Sequence, residues 1–229
     1  MEQATPSGNE ERRSTVIAAG VEDYVSAHLN PAEDEVTAWL TERTRERFGD
    51  AATMAIGRDQ GMFMQLLVEL IGAGAVAEVG TFTGMSALWL ARGLPEGGRL
   101  TCFERWDEAI ELAREAWDRA GVGDRVDVEL GPALERIGSM PEDWRVDLAF
   151  VDADKPAYRA YVEALLPRLA PGGLILVDNT LWGGTVADPS VTDRDTSAIR
   201  EFNAWLAGRA DLDVIVLTIG DGLTVIRPR

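Results

Sequence analysis

Residues 75–228 predict an α/β fold, doubly wound around a mostly parallel sheet, and three observations carry that prediction. Short runs rich in Val, Leu, Ile and Ala alternate with amphipathic segments of helix length. A tail follows in which two β-rich runs flank Gly220-Asp221-Gly222, with no room for a crossover helix. Three further segments of helical spacing precede the first run.

Residues 1–14 mix Ser, Pro, Gly, Asn and charge with nothing to bury, and are expected to be a disordered tail. Apolar spacing then predicts helices at about 15–28, 33–48 and 59–73. Pro31 before Ala-Glu-Asp-Glu reads as a helix start, with acids toward the positive end of the dipole. The runs at 75–79, 99–103, 125–130, 146–151 and 173–177 read as strands. Helices at about 84–92, 107–120, 156–169 and 193–208 lie between them, a rhythm that gives a parallel sheet covered on both faces. Residues 213–228 read as an antiparallel hairpin, so the sheet is mixed. No linker divides 15–229, and 229 residues suit one domain.

Charge and composition narrow the chemistry. With 22 basic and 39 acidic side chains the formal charge is −17, which argues against nucleic acid or an anionic membrane as the main partner. The single cysteine, Cys102, allows no intramolecular disulfide and no cysteine-rich zinc site. The single histidine, His28, leaves no histidine-based metal site or Ser-His-Asp triad. Acid–base work falls to Asp, Glu, Lys or Tyr. The first residues lack an apolar h-region, and the most apolar stretch, 66–80, carries Glu69 and Glu78, so a cytoplasmic location is the expectation.

AEVGTFTGMSAL (77–88) sits where the first strand turns into its helix. Gly80 and Gly84 suit a tight turn with backbone close to a ligand, at the sheet edge where open α/β folds bind. Glu104 ends the second strand 24 residues after Gly80, an offset at which an acid commonly accepts ribose hydroxyls. The loop has no Gly-Lys-Ser/Thr and lacks the third close-packing glycine of G-x-G-x-x-G. A phosphate-free adenosyl ligand therefore fits better than a dinucleotide. S-adenosylmethionine meets the requirement, with its cationic groups suited to an acidic pocket holding Glu78. An ordinary βα turn beside a surface acid is the plainer alternative.

Two strand ends carry the remaining chemistry. VDLAFVDADK (146–155) ends in Asp152, Asp154 and Lys155, and LILVDNTLWGG (174–184) places Asp178 and Asn179 directly after an apolar run. If these strands lie side by side, two carboxylates and an amide oxygen converge. Such a hard-oxygen set suits Mg²⁺, Ca²⁺ or Mn²⁺ rather than zinc. A divalent ion lowers the pKa of a bound hydroxyl, and Lys155 could take its proton. Capping is the alternative: Asp154 could cap the following helix and Asp178 could open a loop.

Together these motifs resemble the cation-dependent class I O-methyltransferases, the group of catechol and caffeoyl-coenzyme A O-methyltransferases and their bacterial relatives. The resemblance runs from about Met54 onward, through DQGMFMQLL (59–67), EVGTFTGMSAL (78–88), LGPALE (130–135), FVDADK (150–155), VDNTLWGG (177–184), VADPSVTDRDTSAIREFN (186–203) and IGDGLT (219–224). It implies a seven-stranded sheet ending in an antiparallel strand. By position it places Glu78, Gly80, Ser86, Glu104 and Ala133 around S-adenosylmethionine, with Asp152 also touching the cofactor. It makes Asp152, Asp178 and Asn179 the metal ligands, Lys155 the base and Trp182 a wall of the acceptor site. The chain departs from its relatives at Met62, Met85 and Pro156. The reaction implied is methylation of one hydroxyl of a vicinal diphenol or similar small molecule, such as a natural-product tailoring step, by a homodimer. A nicotinamide-dependent reductase and a non-catalytic S-adenosylmethionine-binding module are the competing readings. The missing glycine and terminal hairpin oppose the first, and the intact metal and lysine positions oppose the second.

Overall fold

A computed structural model describes residues 21–31 and 33–229. The expected tail at 1–14 and the first part of the helix expected at 15–28 lie outside the described residues. The helices are α1 (Val21–Ala27), α2 (Glu35–Phe48), α3 (Arg58–Ile71), α4 (Met85–Gly93), α5 (Asp107–Arg119), α6 (Ala133–Ser139), α7 (Tyr158–Leu165) and α8 (Arg194–Ala207). The strands are β1 (Ala75–Val79), β2 (Arg99–Glu104), β3 (Val126–Leu130), β4 (Val146–Val151), β5 (Leu169–Val177), β6 (Leu212–Leu217) and β7 (Leu223–Pro228).

They form one seven-stranded sheet in the order β3-β2-β1-β4-β5-β7-β6. The five strands from β3 to β5 pair in parallel. β7 runs antiparallel to both β5 and β6. The antiparallel strand is therefore inserted between its neighbours, and β6 takes the edge. The order reverses between β1 and β4, which opens the crevice where such sheets bind ligands.

Successive side chains of the inner strands serve opposite faces. In β4, Leu148 and Phe150 join Val76, Leu176 and the apolar sides of α2 to α5. Ala149 and Val151 join Val79, Val177 and the apolar sides of α6 to α8. Two cores thus clamp the sheet, so β1 and β4 are buried on both faces rather than alternating, with Glu78 and Asp147 as their charged members.

Local chemistry explains where elements depart from expectation. α2 begins at Glu35, because Asp34 rather than Pro31 makes the cap: its Oδ1 accepts from Val36 N at 2.9 Å and Thr37 N at 3.2 Å. Arg92 bonds both Asp34 oxygens, at 2.8 and 3.0 Å, and this holds the carboxyl down at about 2. α7 is shorter than the expected 156–169. Pro156 and Pro167 each lack a donor, and the chain makes 3₁₀ turns at Lys155–Ala157 and Leu166–Arg168 instead. α6 was not expected at all: it has seven residues and no side-chain cap. Among the described residues no helix is long and apolar enough to cross a membrane.

Candidate active site

A cavity of about 1120 Å³ opens over the carboxyl ends of β1, β2, β4 and β5. One half of it is built by main chain. Gly80 leaves β1 with φ +86°, and a Cβ there would lie 2.0 Å from the Asp152 carbonyl oxygen. The glycine lets the ends of β1 and β4 touch, and its N–H bonds the Phe103 carbonyl at 3.0 Å. Gly84 (φ +80°) precedes α4 and packs on Ala113 and Trp117, whose Nε1 donates to the Gly84 carbonyl at 3.1 Å.

Glu104 closes this half. Its Oε2 accepts from Thr81 N at 2.7 Å and Phe82 N at 2.8 Å, and its Oε1 from Arg105 N at 2.7 Å and Trp106 N at 2.9 Å. One carboxylate therefore fixes both loops that frame the pocket. Phe82 and Trp106 stack nearby, centroids 5.3 Å apart, and Phe48 of α2 meets both edge-on. Ser86 and Ala133 line the same wall.

Glu78 lies one layer deeper than the sequence suggests. It is fully buried behind the cavity wall, and Cys102 Sγ approaches its Oε2 at 3.5 Å. Burial pushes its carboxyl up to about 7, although the Ser86 and Thr81 hydroxyls and the Cys102 thiol pull the other way. Its Oε1 has no hydrogen-bond partner.

The other half is built by side chains. β4 and β5 pair in register with Val151 opposite Val177, so Asp152 and Asp178 emerge next to each other. Lys155 Nζ donates to Asp152 Oδ1 at 2.9 Å and to Asn179 Oδ1 at 2.6 Å. The same ammonium sits 5.4 Å from the Trp182 ring centroid and 5.1 Å from that of Tyr158. Burial raises Asp152, opposed chiefly by the charge of Lys155. Burial and the Asp152 charge push Asp178 up to about 7. Two carboxylates thus share one ammonium and are short of positive charge.

Among the described residues no three His, Cys, Asp or Glu side chains gather as a metal site. The expected set includes an amide oxygen, and its three members do converge on this wall. A hard divalent cation fits the oxygen donors and their unbalanced charge.

Backbone strain concentrates here as well. Among the described residues the non-glycine positions with positive φ are Phe82 (49°), Asn179 (53°) and Trp182 (49°), and all three line the cavity. The Trp182 loop is held from two sides. Asp221, in the β6–β7 turn, accepts from Gly183 N at 2.6 Å. Arg200 on α8 donates to the carbonyls of Thr185, Val186, Asp188 and Val191 at 2.8–3.2 Å.

Asp154 makes no cap for the following turn. It lines the cavity and accepts from Tyr161 Oη at 2.7 Å. Sequence reasoning missed Gln60, Tyr158, Tyr161 and Asp221. The signal for Gln60 was present: it is the polar member of an inner α3 stripe that continues through Met64 and Val68. Tyr158 and Tyr161 share one face of α7, and the Tyr158 hydroxyl bonds the Asp178 carbonyl at 3.0 Å.

Known proteins match this arrangement. A family model described as O-methyltransferase covers residues 25–229. The caffeoyl-CoA O-methyltransferase of Populus kitakamiensis is 35% identical over 206 residues, covering 86% of this chain and 88% of that one. The catechol O-methyltransferase of Niastella koreensis is 33% identical over 203 residues, covering 88% and 90%. Among solved structures, an O-methyltransferase of Streptomyces achromogenes, involved in tomaymycin synthesis and solved in complex with S-adenosylmethionine, superposes with a TM-score of 0.80. It shares 34% identity over 91% of this chain and 96% of its own. The nicotinamide and non-catalytic readings fall with these matches. These matches run along nearly the whole chain, and the chain belongs to the O-methyltransferase family, as an S-adenosylmethionine-dependent enzyme of the caffeoyl-CoA and catechol type.

Proposed function

We propose that the enzyme methylates one hydroxyl of a vicinal diphenol with the help of a divalent cation held by Asp152, Asp178 and Asn179. The observation that carries this reading is the convergence of those three oxygen donors with Lys155 at the ends of paired strands. A cation there supplies charge that lowers the pKa of a bound hydroxyl and suits two neighbouring oxygens.

On this reading the neutral amine form of Lys155 takes the proton of the reacting hydroxyl at Nζ and becomes the ammonium that Asp152 and Asn179 hold. Trp182, held in place by Asp221 and Arg200, forms the aromatic wall against which a planar ring lies. Gly80, Ser86, Glu104 and Ala133 hold the adenosyl part of S-adenosylmethionine, with Asp152 toward its methionine end. The buried Glu78 contributes its field rather than a contact. S-adenosylmethionine supplies the methyl group as a sulfonium electrophile, and the oxygen freed by Lys155 forms the new C–O bond while the C–S electron pair stays on sulfur.

The tomaymycin-linked relative supports a natural-product tailoring role, and a cytoplasmic location is proposed alongside it. A homodimer belongs to the same proposal. Its support is the apolar pair Leu66 and Leu70, which sit one turn apart on α3 at 51% and 74% exposure. Sedimentation as a monomer at working concentration removes that part.

The test of the reaction is a panel of diphenols and matched monophenols with S-adenosylmethionine, read by mass gain of one methyl. It is run after EDTA treatment and again after Mg²⁺ is restored. Methylation of diphenols that stops with EDTA and returns with Mg²⁺ is expected. Full activity in EDTA sinks the cation, and turnover of monophenols alone sinks the chelating acceptor.

A further inference from the structure

Gln60 lies in the first turn of α3, on a face whose next members, Met64 and Val68, are fully buried. It is 2% exposed, lines the same cavity as Asp178, and its Nε2 is buried without a hydrogen-bond partner. An orphaned amide donor costs free energy unless a partner is supplied. The surroundings are shaped around this amide. Gly220, in the β6–β7 turn, has φ +53°, and a Cβ there would lie 2.2 Å from Gln60 Oε1.

The neighbour that needs a donor is Asp178. One of its oxygens, Oδ1, takes the Asn179 N–H at 2.7 Å. Among the described residues no hydrogen bond reaches the other. The Gln60 side chain lies within reach of the Asp178 carboxyl. The reverse amide orientation sets Oε1 against the carboxylate, which repels it. Carboxylates that ligate metals need an outer partner to fix which way they face.

We infer that Gln60 is a positioning residue: its Nε2–H is donated to the Asp178 carboxylate and turns that carboxylate toward the cation. The inference rests on the cation-assisted reading above and adds a residue from outside the two strand ends. Gly220 is the space that makes this possible.

The experiment compares wild type, Gln60→Met, which keeps the volume and removes the donor, and Gly220→Ala, which displaces the same amide from its other side. Calorimetry measures Mn²⁺ and S-adenosylhomocysteine binding to each full-length protein, alongside the acceptor KM. Both variants are expected to bind Mn²⁺ about 10-fold more weakly with S-adenosylhomocysteine affinity unchanged. If Gln60→Met also loses S-adenosylhomocysteine, its fold has failed and Gly220→Ala decides. Wild-type Mn²⁺ affinity in a variant that still binds S-adenosylhomocysteine overturns the role of Gln60 and leaves the cation standing. Unchanged Mn²⁺ affinity with a raised acceptor KM assigns the amide to the acceptor and likewise overturns it. A wild-type protein that binds no Mn²⁺ overturns the cation reading and the Gln60 role with it.

Discussion

The two halves of the cavity solve the same task in opposite ways. Over β1 and β2, four backbone N–H groups hold the Glu104 carboxylate in place, and glycines let the main chain come close. Over β4 and β5, Asp152 and Asp178 emerge side by side with one ammonium nearby, bonded to Asp152 and Asn179, and their pKa values rise. The first half is settled before any ligand arrives, as a binding surface should be. The second is left electrostatically incomplete, which is what a site needs if charge is to move there.

Substitutions can break that contrast or sharpen it. The largest effect is expected from Lys155→Ala, with kcat down by ~10²–10⁴-fold and S-adenosylhomocysteine affinity within about 3-fold of wild type. Steady-state kinetics and calorimetry check this, and unchanged turnover removes Lys155 from the chemistry. Gly80→Ala attacks a place where the halves touch, the Asp152 carbonyl 2.0 Å from the new Cβ. A loss of about 2–5 kcal/mol of stability is expected, combining positive-φ strain with overpacking. Cofactor and Mn²⁺ affinity should fall together in this variant, and a loss of one without the other contradicts the coupling.

Glu78 gives a pH test of the buried layer beneath the glycine loop. Burial pushes its carboxyl up to about 7 from an ordinary value of 4.5. Between those values the native protein keeps a proton that the unfolded chain has released, so this group's contribution to stability declines as pH rises from 4.5 to 7 and is level above. Glu78→Gln removes that slope, and its advantage above pH 7 is on the order of 3 kcal/mol. Urea midpoints at pH 5 and pH 7.5 in cofactor-free protein measure it; parallel shifts in both proteins contradict it. The smallest effect belongs to Arg200→Lys. An ammonium cannot reproduce the planar fork across four carbonyls, so the Trp182 loop loosens and acceptor KM rises ~3–10-fold with kcat and cofactor affinity nearly unchanged. A change confined to kcat contradicts a positioning role.

Much of this site was legible in one dimension. The runs ending at Val79, Phe103, Val151 and Val177 are mostly apolar and become buried on both faces, and the residue types that follow them announce the strand ends. Asp152, Lys155, Asp178 and Asn179 could be paired because consecutive parallel strands commonly lie together. Depth was not legible: period-two alternation places Glu78 on one side of the sheet but cannot say that Ser86 and Thr81 roof it over. Partners from distant segments were hidden too. Tyr161 and Asp221 reach the cavity from α7 and a hairpin turn, and nothing local marks them, whereas Gln60 shows itself only as the polar member of a buried α3 stripe. α6 escaped because seven residues give barely two turns of periodicity.

The placement of β7 bears on how the enzyme comes into being. β5 ends at Val177, yet its neighbour on that side begins only at Leu223, after α8 and β6 have been made. A nascent chain that has produced six strands therefore holds a gap in the middle of its sheet, with β6 lacking any partner. The turn that precedes β7 also delivers Gly220 and Asp221 to the cavity. Sheet closure and completion of the acceptor wall are one event, so a ribosome-bound chain stalled before Leu223 should already display its glycine loop while being unable to methylate anything.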